Sequence, residues 1–237
     1  MRIFIAGASG AIGRRLTPLL LNAGHEVSAI TRSADSARQL RSAGIRAVVA
    51  DVFDAAALQR AMVEARPQIV IHQLTDLPRV VEDQAQLAAA YPRNARIRLE
   101  GTRNLLAAAH AGGARRFILQ SVAFAYAPGK EPHVETDPFN LADGPRLVTV
   151  RAAADMERQT LESGLEAVLL RYGLFYGPGT WSEQATAKPS LHIDAAAHAA
   201  FLALDRGSGI YNIADDQGIV SIAKARRELG FDPAFRL

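Results

Sequence analysis

The chain has 237 residues, 49% hydrophobic and 22% charged, with a formal net charge of +3. This suits one globular domain with at most a small appendage and excludes a disordered or collagen-like chain. With no cysteine, a disulfide framework, a thiolate zinc site and a cysteine nucleophile are excluded too, and the 27 basic residues (24 Arg, 3 Lys) never run longer than pairs such as Arg14-Arg15.

In chain order, apolar runs predict strands at 2–6, 26–31, 47–50, 69–73, 116–120 and 167–172. Alanine-rich helices are expected between them at 11–23, 34–43, 55–66, 94–111 and 151–163. Each strand is a nearly continuous apolar run, as in a sheet covered on both faces. The expectation is an α/β fold: a doubly wound, Rossmann-like parallel sheet over residues 1–177, with 178–237 as a small, reduced substrate-binding lobe packed on it as one compact unit. That lobe should hold a helix at 194–205, a short strand at 211–213 and a last helix at 221–229. The opening apolar run meets glycine at Gly7, and no span of about 20 apolar residues follows. A cytoplasmic protein that binds neither membrane nor nucleic acid is expected.

Gly7-Ala8-Ser9-Gly10-Ala11-Ile12-Gly13 joins the first strand to the first helix. Glycines at this spacing and in this context let the backbone approach a pyrophosphate, whose charge meets free amides at the helix start. Gly7, Ser9, Gly10, Ala11, Ile12 and Gly13 are the candidate phosphate contacts. The second strand ends Thr31-Arg32-Ser33, with no carboxylate where an NAD site would bind the ribose 2′-hydroxyl. Arg32 offers a charged planar fork for a 2′-phosphate, so NADP(H) is expected over NAD(H). Asp51 and Val52, after the third strand, are placed to meet the adenine.

Several further motifs stand in a recognisable order: Ile71-His72-Gln73, Gly101-Thr102-Arg103-Asn104-Leu105-Leu106, Arg116-Phe117-Ile118 before Ser121, Glu135-Thr136-Asp137-Pro138, and Leu170-Arg171-Tyr172 before Tyr176-Gly177-Pro178-Gly179. With the glycine turn, the chain resembles the extended or atypical short-chain dehydrogenase/reductases, the NAD-dependent epimerase/dehydratase group. The resemblance implies cofactor contacts from His72, Gln73 and Leu74, from Ser121, and from the backbone of Tyr172, Gly173 and Leu174. It also implies catalysis by a Tyr-x-x-x-Lys pair one helical turn apart, with the tyrosine as proton donor and a Ser or Thr orienting the substrate. Aligned on Glu157, those two positions fall at Thr149 and Ala153. No tyrosine lies between Tyr126 and Tyr172, and the only lysines are Lys130, Lys188 and Lys224. The literal match from Tyr126 to Lys130 contains Pro128-Gly129, which makes a turn rather than a helix face.

Tyr126 is therefore the first candidate for a surrogate acid and Ser121 the nearest hydroxyl, with His72, Tyr172 and Tyr176 as other donors near the expected cofactor mouth. His192, Asp194 and His198 resemble metal ligands by type, but Asp194 reads better as a helix cap, and no metal is expected. The first functional reading is an NADP(H)-binding epimerase/dehydratase-like or reductase-like enzyme acting on a small carbonyl or sugar-like molecule with a nonstandard proton donor. The alternatives are a catalytically silent NADP(H)-sensing regulator or scaffold, and a flavin or quinone reductase. The resemblance offers a homodimer through the helices at 94–111 and 151–163; a monomer is the other option.

Overall fold

The computed structural model describes residues 1–78, 84–144 and 146–237. A seven-stranded parallel sheet is built from β1 (Arg2–Ala6), β2 (Glu26–Thr31), β3 (Arg46–Val49), β4 (Ile69–His72), β5 (Arg116–Val122), β6 (Glu166–Tyr172) and β9 (Gly209–Ile213). Its order is β3-β2-β1-β4-β5-β6-β9. The chain runs outward from β1 in one direction and then the other, which is the doubly wound arrangement, and the strand order reverses beside β1.

The period of two along β1 explains the two cores. Ile3 and Ile5 face a layer formed by α1 (Ala11–Asn22), α2 (Ala34–Ser42), α7 (Ile193–Leu202) and α8 (Ala223–Leu229). Phe4 and Ala6 face the opposite layer, formed by α3 (Ala55–Ala65), α5 (Thr102–Ala111) and α6 (Leu147–Leu161). In α7, Ala195, Ala196, Ala197, Ala199 and Ala200 are all sealed from solvent. Small side chains all round let this helix sit between α1 and the sheet, as a helix apolar on every face must.

The expected strands fall within a residue or two of their observed bounds, as do most of the helices, but four features differ. The helix expected to start at 94 starts earlier, as α4 (Gln84–Arg96), and reaches α5 through a π-helical turn at Ile97–Gly101. Helix α6 begins four residues before the expected start. Two short strands with no periodic signal, β7 (Leu174–Tyr176) and β8 (Ser190–His192), pair in parallel beside the main sheet. Finally, the segment after 178 does more than form a lobe, because its β9 extends the main sheet next to β6. The helix-cap expectation for Asp194 is corrected too: His192 is the cap of α7, its Nδ1 accepting from the Asp194 amide at 3.2 Å.

Candidate functional site

All the groups expected to meet a dinucleotide lie at the carboxyl ends of β1, β2, β3, β4, β5 and β6, the edge where doubly wound sheets bind ligands. Gly7 adopts φ +106°, and a Cβ there would stand 2.6 Å from the Gln73 carbonyl oxygen; one at Gly13 would stand 2.3 Å from the Gly7 oxygen. These two glycines are required by the turn itself. Gly10 is different, since its Cβ would meet only the Gly7 oxygen, at 3.2 Å. The space beyond is open, and no side chain caps the first turn of α1. The side-chain amide of Gln73 is buried with neither its oxygen nor its nitrogen hydrogen-bonded among the described residues. An open glycine at an uncapped helix start fits a dinucleotide phosphate, and Gln73, whose backbone lies against Gly7, leaves its buried amide unpaired beside the turn.

Around this turn, Arg14 Nη1 donates to the Ser9 carbonyl at 3.0 Å, and Ile12 is buried in the core while Ala11 is partly buried against it. Arg32 follows β2 with an exposed side chain whose ion-pair partner among the described residues is Asp76, at 3.8 Å. Arg93 reaches the other oxygen of Asp76, at 3.4 Å. Asp51 accepts from the Phe53 amide at 2.9 Å, which leaves its second oxygen for another donor. Val52 is fixed from behind, with its carbonyl accepting from Asn104 Nδ2 at 2.9 Å.

His72 is buried, and its Nδ1 accepts from the Leu74 amide at 3.2 Å. Nε2 must then carry the proton it directs to Thr102 Oγ1, 3.1 Å away. Burial, reinforced by the nearby Arg98 cation, drives its pKa down to about 3. This corrects its inclusion among the proton donors: the ring is neutral and locked. Tyr172 is likewise sealed, with its hydroxyl donating to the Ala196 carbonyl at 3.2 Å and its pKa pushed up by burial. Gly173 packs so closely on β8 that a Cβ would lie 2.8 Å from the Ser190 oxygen, and the Leu174 amide donates to the Pro189 carbonyl at 2.8 Å. Tyr176 is partly buried, with its ring edge against His192.

Thr149, Ala153 and Glu157, spaced by four, form one buried face of α6. Glu157 accepts from Ser121 Oγ at 2.5 Å and pairs with Arg171 through Nε at 2.9 Å and Nη2 at 2.7 Å. Arg171 Nη1 donates onward to the Tyr126 hydroxyl, at 2.9 Å, and that hydroxyl donates to Asn212 Oδ1, at 2.6 Å. The Tyr126 ring stacks on His133 with centroids 5.0 Å apart, and burial raises its pKa even with the Arg171 charge beside it. Both expected catalytic residues thus belong to one closed network. Lys130 does not join Tyr126 on a helix, because the stretch between them is turn and loop.

Three side chains at this edge escape the sequence motifs. Arg14 and Arg15 reach the loop after β7, where Arg15 Nη2 donates to the Pro178 carbonyl at 3.3 Å and Gly179 lies against Arg14. In the same loop the indole of Trp181 donates to the Pro78 carbonyl at 2.9 Å, linking it to the segment after β4. The signal available in the sequence was a set of lone polar residues flanking a glycine-rich turn, which surface residues also give. No group of three or more possible metal ligands occurs among the described residues, and no helix there is long and apolar enough to cross a membrane.

The fold and the glycine turn define a dinucleotide-binding protein of the doubly wound class. Residues 3–212 match the NAD dependent epimerase/dehydratase family, and the chain belongs to that family. It is 44% identical over 183 residues to a 3-diazoavenalumate denitrifying reductase of a Streptomyces species, a match covering 76% of this chain and 58% of the relative. Identity to a dTDP-4-dehydrorhamnose reductase of Streptomyces griseus is 31% over 179 residues, covering 75% of this chain and 51% of the relative. The chain therefore spans little more than half the length of these curated relatives. Among solved structures, a UDP-glucose 4-epimerase of Thermotoga maritima superimposes with a TM-score of 0.81 at 19% identity, covering 100% of this chain and 94% of that one. At that identity the likeness speaks for the fold alone.

Proposed function

We propose that the chain is an NADPH-preferring reductase for a small, electron-poor substrate that accepts hydride without a proton from the protein. The observation that carries this is the α6 face of Thr149, Ala153 and Glu157, which brings neither a tyrosine nor a lysine to the expected nicotinamide end and holds its one carboxylate on Ser121 and Arg171. The phosphates would be held by Gly7, Ser9, Gly10, Ala11, Ile12 and Gly13, a 2′-phosphate by Arg32, the adenine end by Asp51 and Val52, and the nicotinamide end by Ser121 and the backbone from Tyr172 to Leu174. His72, Gln73 and Leu74 would line the floor between the two ends. Bound there, the dinucleotide supplies hydride.

The chain's own contribution is then to hold cofactor and acceptor together and exclude water, which suffices for an activated acceptor. An aryl diazonium group is one such acceptor, because replacing its dinitrogen by hydride gives Ar–H and N2 with no proton required. The reductase names of two relatives and the diazo substrate in one name support this class. A small carbonyl or quinone polarised by its own substituents is the neighbouring possibility, and a silent NADPH sensor is the reading that remains if none reacts.

The test follows loss of reduced-nicotinamide absorbance with aryl diazonium salts, quinones, flavins and simple ketones. Turnover with the first two classes and none with unactivated ketones is expected; silence across all four favours the sensor. NADPH should bind more tightly than NADH, and Arg32→Ala should cut that ratio roughly tenfold by removing one charge-assisted contact. An unchanged ratio removes the 2′-phosphate assignment.

A further inference from the structure

Arg98 lies on the π-helical turn between α4 and α5 and is 9% exposed. Short π-helical turns of this kind occur often at functional sites, where they re-aim a side chain. Here the turn directs a guanidinium into the molecule, where Nη1 donates to Thr149 twice, to its carbonyl at 2.7 Å and to its hydroxyl at 2.6 Å. These are its only hydrogen bonds among the described residues, and no carboxylate there comes within ion-pair distance. Buried charges are ordinarily paired, so a guanidinium resting on neutral acceptors alone is an exception that calls for a reason.

The surroundings do not neutralise it. Glu157 is the nearby buried carboxylate, and both its oxygens are engaged by Arg171 and Ser121. Arg98, Arg171 and Glu157 together carry one surplus positive charge. Thr149 stands in the first turn of α6, whose helix start has no side-chain cap and contributes positive potential of its own. Burial lowers the Arg98 pKa only to about 10, so the group stays charged at neutral pH. His72, the titratable group on the β4 side, is neutral and supplies no counter-charge.

Resting on the reductase reading above, we propose that Arg98, held on Thr149, is the receptor for a carboxylate carried by the substrate. A planar guanidinium with Nε and Nη2 unused among the described residues matches a carboxylate's two oxygens, and the Thr149 hydroxyl adds a third polar contact. Binding would supply the counter-ion that the fold withholds, and would orient the acceptor from the α6 side of the site. The acid group then does for orientation what a Ser or Thr beside a catalytic tyrosine does elsewhere, while leaving the proton inventory unchanged.

The full chain, saturated with NADPH, is titrated calorimetrically with matched acids and amides: acetate and acetamide, benzoate and benzamide, cinnamate and cinnamamide. At least one acid should bind at least about tenfold more tightly than its amide, Arg98→Met should abolish the difference, and Thr149→Val should reduce it about threefold. No preference in any pair overturns the proposal, as does a preference that survives in both variants. Should Arg98→Met fail to fold, the wild-type pairs and Thr149→Val still decide. NADPH affinity is measured separately, so a chain that binds no NADPH but prefers acids refutes the reductase and leaves the receptor standing.

Discussion

The glycine turn after β1 and the polar cluster beneath β5 and β6 lie along the same edge of one sheet, yet they are built on opposite rules. In the turn, side chains are absent where a ligand would come close, and the unpaired groups are the Gln73 amide and the bare start of α1. In the cluster every polar atom is answered: Ser121 by Glu157, Glu157 by Arg171, Arg171 by Tyr126 and Tyr126 by Asn212. The first region is left incomplete and a ligand would complete it; the second is complete without one. A group that gives up a proton in each cycle must exchange partners, so a closed chain of bonds serves position better than proton transfer. Arg98 is the exception beside the cluster, and its surplus charge gives it the open character of the turn.

The comparison breaks most severely at Glu157. Glu157→Gln removes the counter-ion of a buried guanidinium while keeping the shape, and should cost roughly 3–5 kcal/mol of stability, read as a lower midpoint in urea unfolding. A loss below about 1 kcal/mol would mean that Arg171 finds water or another carboxylate and that the cluster is looser than its distances indicate. Next comes acid sensitivity through His72, whose folded-state pKa of about 3 lies below its ordinary 6.5. Between those values the unfolded chain binds the proton and the folded chain does not, so the stability this ring contributes is full above pH 6.5 and falls as pH drops toward 3. The slope is about 1 kcal/mol per pH unit, and His72→Gln should flatten it in urea titrations at pH 7 and pH 5.

The contrast also accounts for what could be read from the sequence. Strand runs such as Ile69–His72 and the Gly7, Gly10 and Gly13 spacing are local patterns with a single physical meaning, and they located the sheet and the glycine turn at the carboxyl end of β1 directly. The expectation that no Tyr-x-x-x-Lys helix is present rests on the three lysines, which leave few places to look. The network was not legible: Ser121, Tyr126, Glu157, Arg171 and Asn212 come from five separate stretches, and only the packing of β5, β6, β9 and α6 joins them. Tyr126 drew attention because it is a phenol near a serine, and nothing local reveals that Arg171 and Asn212 take both sides of its hydroxyl. Arg98 left one trace, a charge on the stripe Asn94, Arg98, Thr102, Leu105 that otherwise faces inward at helical spacing. The π-helical turn that makes the charge tolerable has no pattern of its own.

The smallest effect is the sharpest on mechanism. Tyr126→Phe keeps the ring that stacks on His133 and lies beside the Arg171 guanidinium, and removes only the hydroxyl between Arg171 and Asn212. Stability should fall by about 1–2 kcal/mol, since two buried partners lose one bond each while Arg171 keeps its pair with Glu157. A proton donor would give a different signature, a loss of kcat of about a hundredfold or more with little change in stability. With an activated acceptor, kcat should stay within about threefold of wild type because the removed proton is not on the reaction path. A fall in kcat that tracks the pH dependence of a single acid would restore Tyr126 as the donor, and with it the view that the closed network opens once per turnover.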